Sequence, residues 1–169
     1  MSRGDRPKGL RRRIIRVTAW TIRARVTRGS LVAIFNTDRT LLLVRSRTQD
    51  SRHWGLPGGF TRSKETHSQT ARREVREETG LDIEIQPKDE VAHYIQPWAW
   101  HLDVLFRINL SVSPPKIVHG PEILEAQWCD ISDPSVQPRL TPEATLALAI
   151  LRDEGRWNGE ELPFFYYYR

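Results

Sequence analysis

A single cysteine in 169 residues is the first limit the sequence sets. Cys129 has no partner within the chain, so no internal disulfide can form and nothing points to an oxidising compartment. Long apolar runs are missing as well. None approaches the roughly 20 residues that span a bilayer. The start of the chain lacks the apolar core and small-residue cleavage site of a secretory leader. Internal repeats and low-complexity tracts are also missing. These absences leave a soluble, cytoplasmic protein as the expectation, with one compact domain and modest extensions. Apolar residues make up 38% of the chain, enough for a core beneath a polar surface.

The net charge of +5 is unevenly spread. Residues 1–28 hold ten Lys/Arg against one acid, a charge of +9, and the remainder carries −4. The basicity therefore belongs to an N-terminal extension, residues 1–28, and not to the body of the chain. Such a patch suits contact with polyanions, although a solvated basic arm or helix is the plainer reading. Residues 29–156 read as the domain, and residues 157–169 as an aromatic C-terminal tail (Phe164, Phe165, Tyr166, Tyr167, Tyr168). A tail of that kind more often packs on its own domain or on a second subunit than binds a ligand.

Within the domain the patterning is sharper. Residues 9–26 mix apolar and arginine residues and lean towards a packed helix. Ser30–Phe35 and Thr40–Arg45 read as strands joined at the turn Asn36–Arg39. Residues 66–79 read as a helix, stopped by Gly80 in a left-handed conformation. Leu81–Gln86 alternates like a strand. Val91–Gln96 and Ala99–Val112 look like the arms of a hairpin around Pro97, and Leu124–Ile131 like another strand. Thr141-Pro142-Glu143 is a helix start, with Thr as cap and Pro at the first position. This order suggests an α/β chain with a mixed sheet covered on both faces.

The helix over residues 66–79 carries the chemistry. Glu74 and Glu78 are four apart and share a face, and Glu77 flanks it. Three carboxylates this close repel each other, which a hard divalent cation with oxygen ligands would relieve. A solvated acidic face balanced by Arg72, Arg73 and Arg76 is the competing reading on the helix alone. The flanks tip the balance. Gly58-Gly59 permits close backbone approach just before the helix, where a carbonyl can add a ligand. Glu65, eight residues before Arg73, is within reach of it if the loop folds back.

The run from Gly59 to Leu81 places Gly59, Glu65, Arg73, Glu74, Val75, Glu77, Glu78, Gly80 and Leu81 at fixed spacings. That pattern resembles the Nudix box at every fixed position, and Trp54-Gly55-Leu56-Pro57-Gly58 looks like the family's approach to it. The likeness extends more loosely over residues 29 to 154. The resemblance implies a Nudix-type α/β/α sandwich with a mixed β-sheet. It implies Mg²⁺ or Mn²⁺ held by Glu74, Glu77 and Glu78, with the carbonyl of Gly58 as a further ligand and a supporting Arg73–Glu65 salt bridge. The activity it implies is hydrolysis of a diphosphate linkage in a nucleoside diphosphate derivative. Metals would neutralise the phosphate oxygens and activate water, and a carboxylate would accept the proton.

Glu122, before Trp128, is the first candidate for a distal ligand or general base; Glu125 is second. Both also read as ordinary exposed strand acids. Arg45 and Arg47 are placed to grip phosphates, or serve as edge-strand solubilisers. Tyr94, Trp98 and Trp100 offer a stacking surface or plain packing. His53, His67, His93, His101 and His119 lack metal-ligand spacing and read as structural or surface residues. Cys129 reads as buried and inert. The family also includes binders that recognise a nucleotide or metabolite and regulate a partner without catalysis, and homodimers are common in it. A prenyl diphosphate isomerase, which shares the fold, would need a suitably placed cysteine that this sequence does not supply.

Overall fold

The computed structural model describes residues 27–47, 52–96, 101–111, 115–130, 139–152 and 166–167. The strands are β1 (Thr27–Phe35), β2 (Leu41–Ser46), β3 (Gly58–Phe60), β4 (Glu90–Gln96), β5 (His101–Asn109), β6 (Ile123–Cys129) and β7 (Tyr166–Tyr167). The helices are α1 (His67–Thr79) and α2 (Pro142–Arg152). One sheet runs in the order β6-β2-β1-β5-β4-β7, and β3 also pairs with β1. It is mixed: β1 lies parallel to β5 from Thr27↔His101 to Phe35↔Asn109, and the other pairings are antiparallel.

Alternation along the central strands divides the core into two layers. Val32 and Ile34 of β1, Leu42, and Val104, Phe106 and Ile108 of β5 pack with Ala71 and Val75 of α1. Ala33, Leu41, Leu43, Tyr94 and Leu105 point to the opposite face and pack with Ala144, Ala147, Leu148 and Ile150 of α2. The result is the helix–sheet–helix sandwich expected from the order of elements. The β1–β2 turn is built by Asn36. Its side-chain oxygen accepts from the backbone N–H of Asp38 (2.9 Å) and Thr40 (3.0 Å).

One expected strand is not a strand. Leu81–Gln86 keeps its alternation, with Leu81 and Ile85 buried in the α1 layer. Its apolar side chains are satisfied by packing alone, and the segment runs into a short 3₁₀ turn, Pro87–Asp89, without joining the sheet. In the aromatic tail, Tyr166 and Tyr167 pair with Tyr94 and His93 on the outer edge of β4. The expected helix over residues 9–26, together with Trp98 and Trp100, lies outside the described residues.

Helix α1 ends at Gly80, whose φ of 73° is left-handed, and its N–H donates to the Arg76 carbonyl (3.0 Å). A Cβ there would sit 2.6 Å from the Val118 carbonyl oxygen. That segment is pinned to the helix end because Val118 N–H donates to the Thr79 carbonyl (3.1 Å). Gly80→Ala therefore combines an unfavourable backbone angle with a collision against backbone. It should lower the unfolding free energy by about 1–3 kcal/mol, read as a shifted urea midpoint. An unchanged midpoint would mean that the Val118 segment is not seated on the helix end.

Candidate active site

Helix α1 is fixed at its start before any acid appears. Thr66 caps it by accepting from Gln69 N–H, and the Gln69 side chain returns a bond to Thr66 N–H (2.9 Å), a capping box. Ser30 of β1 donates to the His67 carbonyl (3.0 Å), and the His67 ring lies 3.1 Å from the Gly29 carbonyl. Burial holds the His67 pKa below its ordinary value. The helix is thereby tied to the strand that pairs with β3, and its acids come to lie against Gly58 and Gly59. A Cβ on Gly59 would stand 2.6 Å from a Glu74 carboxylate oxygen, so any other residue would push that carboxylate from its present place.

Arg73 organises the acids. Its Nε and one terminal nitrogen donate to the two oxygens of Glu65 (2.8 and 3.1 Å), a two-pronged pairing. The same terminal nitrogen donates to the Phe60 carbonyl (3.0 Å). The other reaches Glu74 (2.6 Å) and Glu77 (3.1 Å). Glu65 also accepts from Arg62 N–H (3.0 Å) and the Thr70 hydroxyl (3.1 Å). With this many donors, led by Arg73, its pKa falls to about 2. The guanidinium of Arg73 is correspondingly held above its ordinary range.

Glu78 has the opposite environment. Burial is the main cause that pushes its pKa up to about 8, and the charges of Glu74, Glu122 and Glu77 add to the rise. The Gly58 N–H, donating at 2.9 Å, works against it. Burial raises Glu74 in the same direction, opposed by Arg73. Glu77 is half exposed and meets Arg62 (3.3 Å) as well as Arg73.

As they stand, Glu74 and Glu77 share Arg73, whereas Glu78 faces the Gly58 N–H. Among the described residues, no three potential ligands are gathered around one point. The donor chemistry nevertheless fits a hard cation. Four carboxylates lie near enough to disfavour one another's charge, and the Gly59 backbone approaches Glu74 with no intervening Cβ.

The strand candidates separate. Glu122, exposed, is close enough for its charge to act on Glu78, and its carbonyl accepts from Arg47 N–H (2.9 Å). The Arg47 side chain donates to the Pro121 carbonyl (2.9 Å), holding the segment that carries Glu122. Arg45 pairs with Glu125 instead and lies 5.0 Å over the Trp54 ring. Tyr94 and Cys129 are buried. Of the histidines, His101 is buried against Asp103 (3.0 Å), His93 meets Glu90 (3.0 Å) and His119 approaches the Gly120 carbonyl (3.2 Å). Nothing in the spacing of Arg62 marks it, among the arginines nearby, as the partner of Glu77.

Comparison with known proteins bears on the family and the fold. A NUDIX domain model matches residues 25–149. The chain is 32% identical over 126 residues to an NAD-capped RNA hydrolase NudC of Enterobacter sp. (strain 638), covering 73% of this chain and 45% of that protein. It thus spans under half the length of the curated relatives it matches. A NUDIX hydrolase from Nitrosomonas europaea superposes with a TM-score of 0.63 at 23% identity, covering 76% of this chain and 72% of that one. A bifunctional NMN adenylyltransferase/ADP ribose pyrophosphatase from Francisella tularensis, complexed with AMP and a Mn ion, gives a TM-score of 0.62. Its identity is 18%, over 85% of this chain and 47% of that one.

Two stability measurements follow from the opposed carboxylates. Glu65→Gln should cost about 1–3 kcal/mol at neutral pH through loss of the paired charge. The depressed pKa means that the contribution is complete above about 4.5 and disappears as the pH falls towards 2. A deficit that persists unchanged at pH 2 would disprove that origin. Glu78→Gln should act oppositely in metal-free protein. The raised pKa makes ionisation of Glu78 unfavourable to the fold between about 4.5 and 8. The variant should therefore melt roughly 3–5 °C higher than the parent at pH 8, with the gap closing towards pH 4.5. A variant that melts lower at pH 8 would contradict the burial of that charge.

Proposed function

The chain belongs to the Nudix family, and we propose that it hydrolyses a diphosphate linkage in a nucleoside diphosphate derivative, releasing a nucleoside monophosphate. The observation that carries this reading is the buried Glu78, surrounded by the charges of Glu74, Glu77 and Glu122 beside the Gly58 backbone. Such a cluster is costly when empty and well suited to Mg²⁺ or Mn²⁺. Glu74, Glu77 and Glu78 are the side-chain ligands in this reading, with the Gly58 carbonyl beside them. A bound ion would neutralise the diphosphate oxygens and lower the pKa of a water, so that its deprotonated form is available to attack phosphorus.

The chain's own groups then have distinct tasks. Arg73, anchored to Glu65 and Phe60, keeps Glu74 and Glu77 oriented. Arg47 holds the segment that carries Glu122, whose charge acts on Glu78, and Glu122 is assigned acceptance of the proton from the attacking water. Arg45 is assigned a phosphate contact, and Arg47 acts chiefly through the Glu122 segment. The named activity of the curated relatives makes dinucleotides bridged by a diphosphate the first substrate class to test.

A Mg²⁺-supplemented screen over nucleoside triphosphates, dinucleoside polyphosphates, NAD and nucleotide sugars should show release of a monophosphate. Glu78→Gln should lower kcat by roughly 10²-fold or more with the fold retained. Unchanged turnover in that variant would remove Glu78 from the reaction. Tight binding across the panel with no hydrolysis would instead identify a nucleotide-binding protein.

A further inference from the structure

A second charged feature lies beyond the acids of α1. Arg45, Arg52, His53 and Arg139 line an open cavity of about 460 Å³. That size is within the roughly 300–1,000 Å³ of small-ligand sites, but such sites are mostly apolar and this lining is not. Three guanidiniums and an imidazole favour an anion over a bare aromatic ring, and guanidinium forks match phosphate geometry.

The cavity walls are fixed by Trp54. Its N–H donates to the Arg139 carbonyl (2.7 Å), and its carbonyl accepts from Thr141 N–H (2.8 Å). Its neighbour Gly55 exchanges both backbone bonds with Val44, the residue before Arg45 (2.8 and 2.9 Å). Arg45 lies over the Trp54 ring. Arg45, over the ring, and Arg139, through its backbone, are thus both fastened to the buried Trp54. Glu125 pairs with Arg45 and returns one negative charge to the group.

The position relative to the acids is set by the β2–β6 ladder, in which Arg45 stands opposite Glu125 and Ser46 opposite Ile123. Glu125 is two residues along β6 from Ile123, about 7 Å at roughly 3.3 Å per residue, and Glu122 immediately precedes the strand. An arginine side chain covers much of that distance. We propose that this cavity binds a phosphate group extending the substrate beyond the diphosphate that is cleaved, so that preferred substrates carry at least three phosphates. The kinetic arm of this proposal rests on the hydrolytic reading above; its binding arm does not.

The test uses the full chain. With Mg²⁺, kcat/KM is compared for diadenosine diphosphate against diadenosine tetraphosphate, and for NAD against an NAD-capped dinucleotide. The first pair extends an in-line polyphosphate and the second a nucleic-acid strand. At least one extended member should be preferred by about tenfold, and the pair that gains identifies the source of the phosphate. Arg52→Gln/Arg139→Gln keeps the aliphatic stems, removes two charges, and should bring that preference ratio close to one. Equal kcat/KM within both pairs, or a ratio unchanged in the variant, overturns the proposal. Independently, inorganic tripolyphosphate is titrated by calorimetry without added metal, and the double variant should bind it at least about tenfold more weakly. Equal binding overturns the proposal. If no compound on the panel is hydrolysed, the hydrolytic reading fails and this titration alone decides the cavity.

Discussion

One guanidinium holds the centre of this molecule together. Arg73 joins a loop acid (Glu65), a strand carbonyl (Phe60) and two acids of its own helix (Glu74, Glu77). The loop from β3 to α1 has no core of its own to fix its path, and the charge on Arg73 replaces one. The pairing is partly shielded: side-chain exposure is 15% for Arg73 and 21% for Glu65. It is therefore screened less by salt than a surface pair would be. The acids Arg73 holds are useful only where α1 meets Gly58 and Gly59, and the Ser30 and Thr66 contacts at the helix start keep it there.

The same few residues hold two opposite electrostatic states. Glu65 is kept ionised by four donated hydrogen bonds, whereas Glu78, three turns further on, is disfavoured as an anion by burial and by like charges. One carboxylate stabilises the fold and the other works against it, a cost that the cation of the proposed function would relieve. On the proposed reading, function is built on an interaction that the polypeptide alone does not satisfy, held in place by one that it does.

Much of this was readable from residue order because the informative signals were local. The Gly80 stop, the Asn36 turn and the Thr141 start of α2 each act within a few positions, and all appear in the fold. The Glu65–Arg73 pair was readable since eight residues separate its partners across one loop. What resisted was long-range. Leu81–Gln86 has a strand's alternation, but pairing depends on an available sheet edge, which no local pattern reports. Arg45 looked like a neighbour of Arg47 on one face, yet their side chains go to Glu125 and Pro121. The Arg45–Arg52–Arg139 group joins residues nearly a hundred positions apart through Trp54, with no periodic trace in the sequence.

The parallel ladder between β1 and β5 has a consequence for how the molecule is made. Thr27 and His101, which meet at its end, are 74 positions apart. Closing so large a loop is entropically slow, whereas α1 and the β1–β2 turn can form from neighbours. The acidic helix is thus expected to exist during assembly well before the strand surface that receives it. Until that late zippering, its repelling carboxylates remain in water, where their charges cost least.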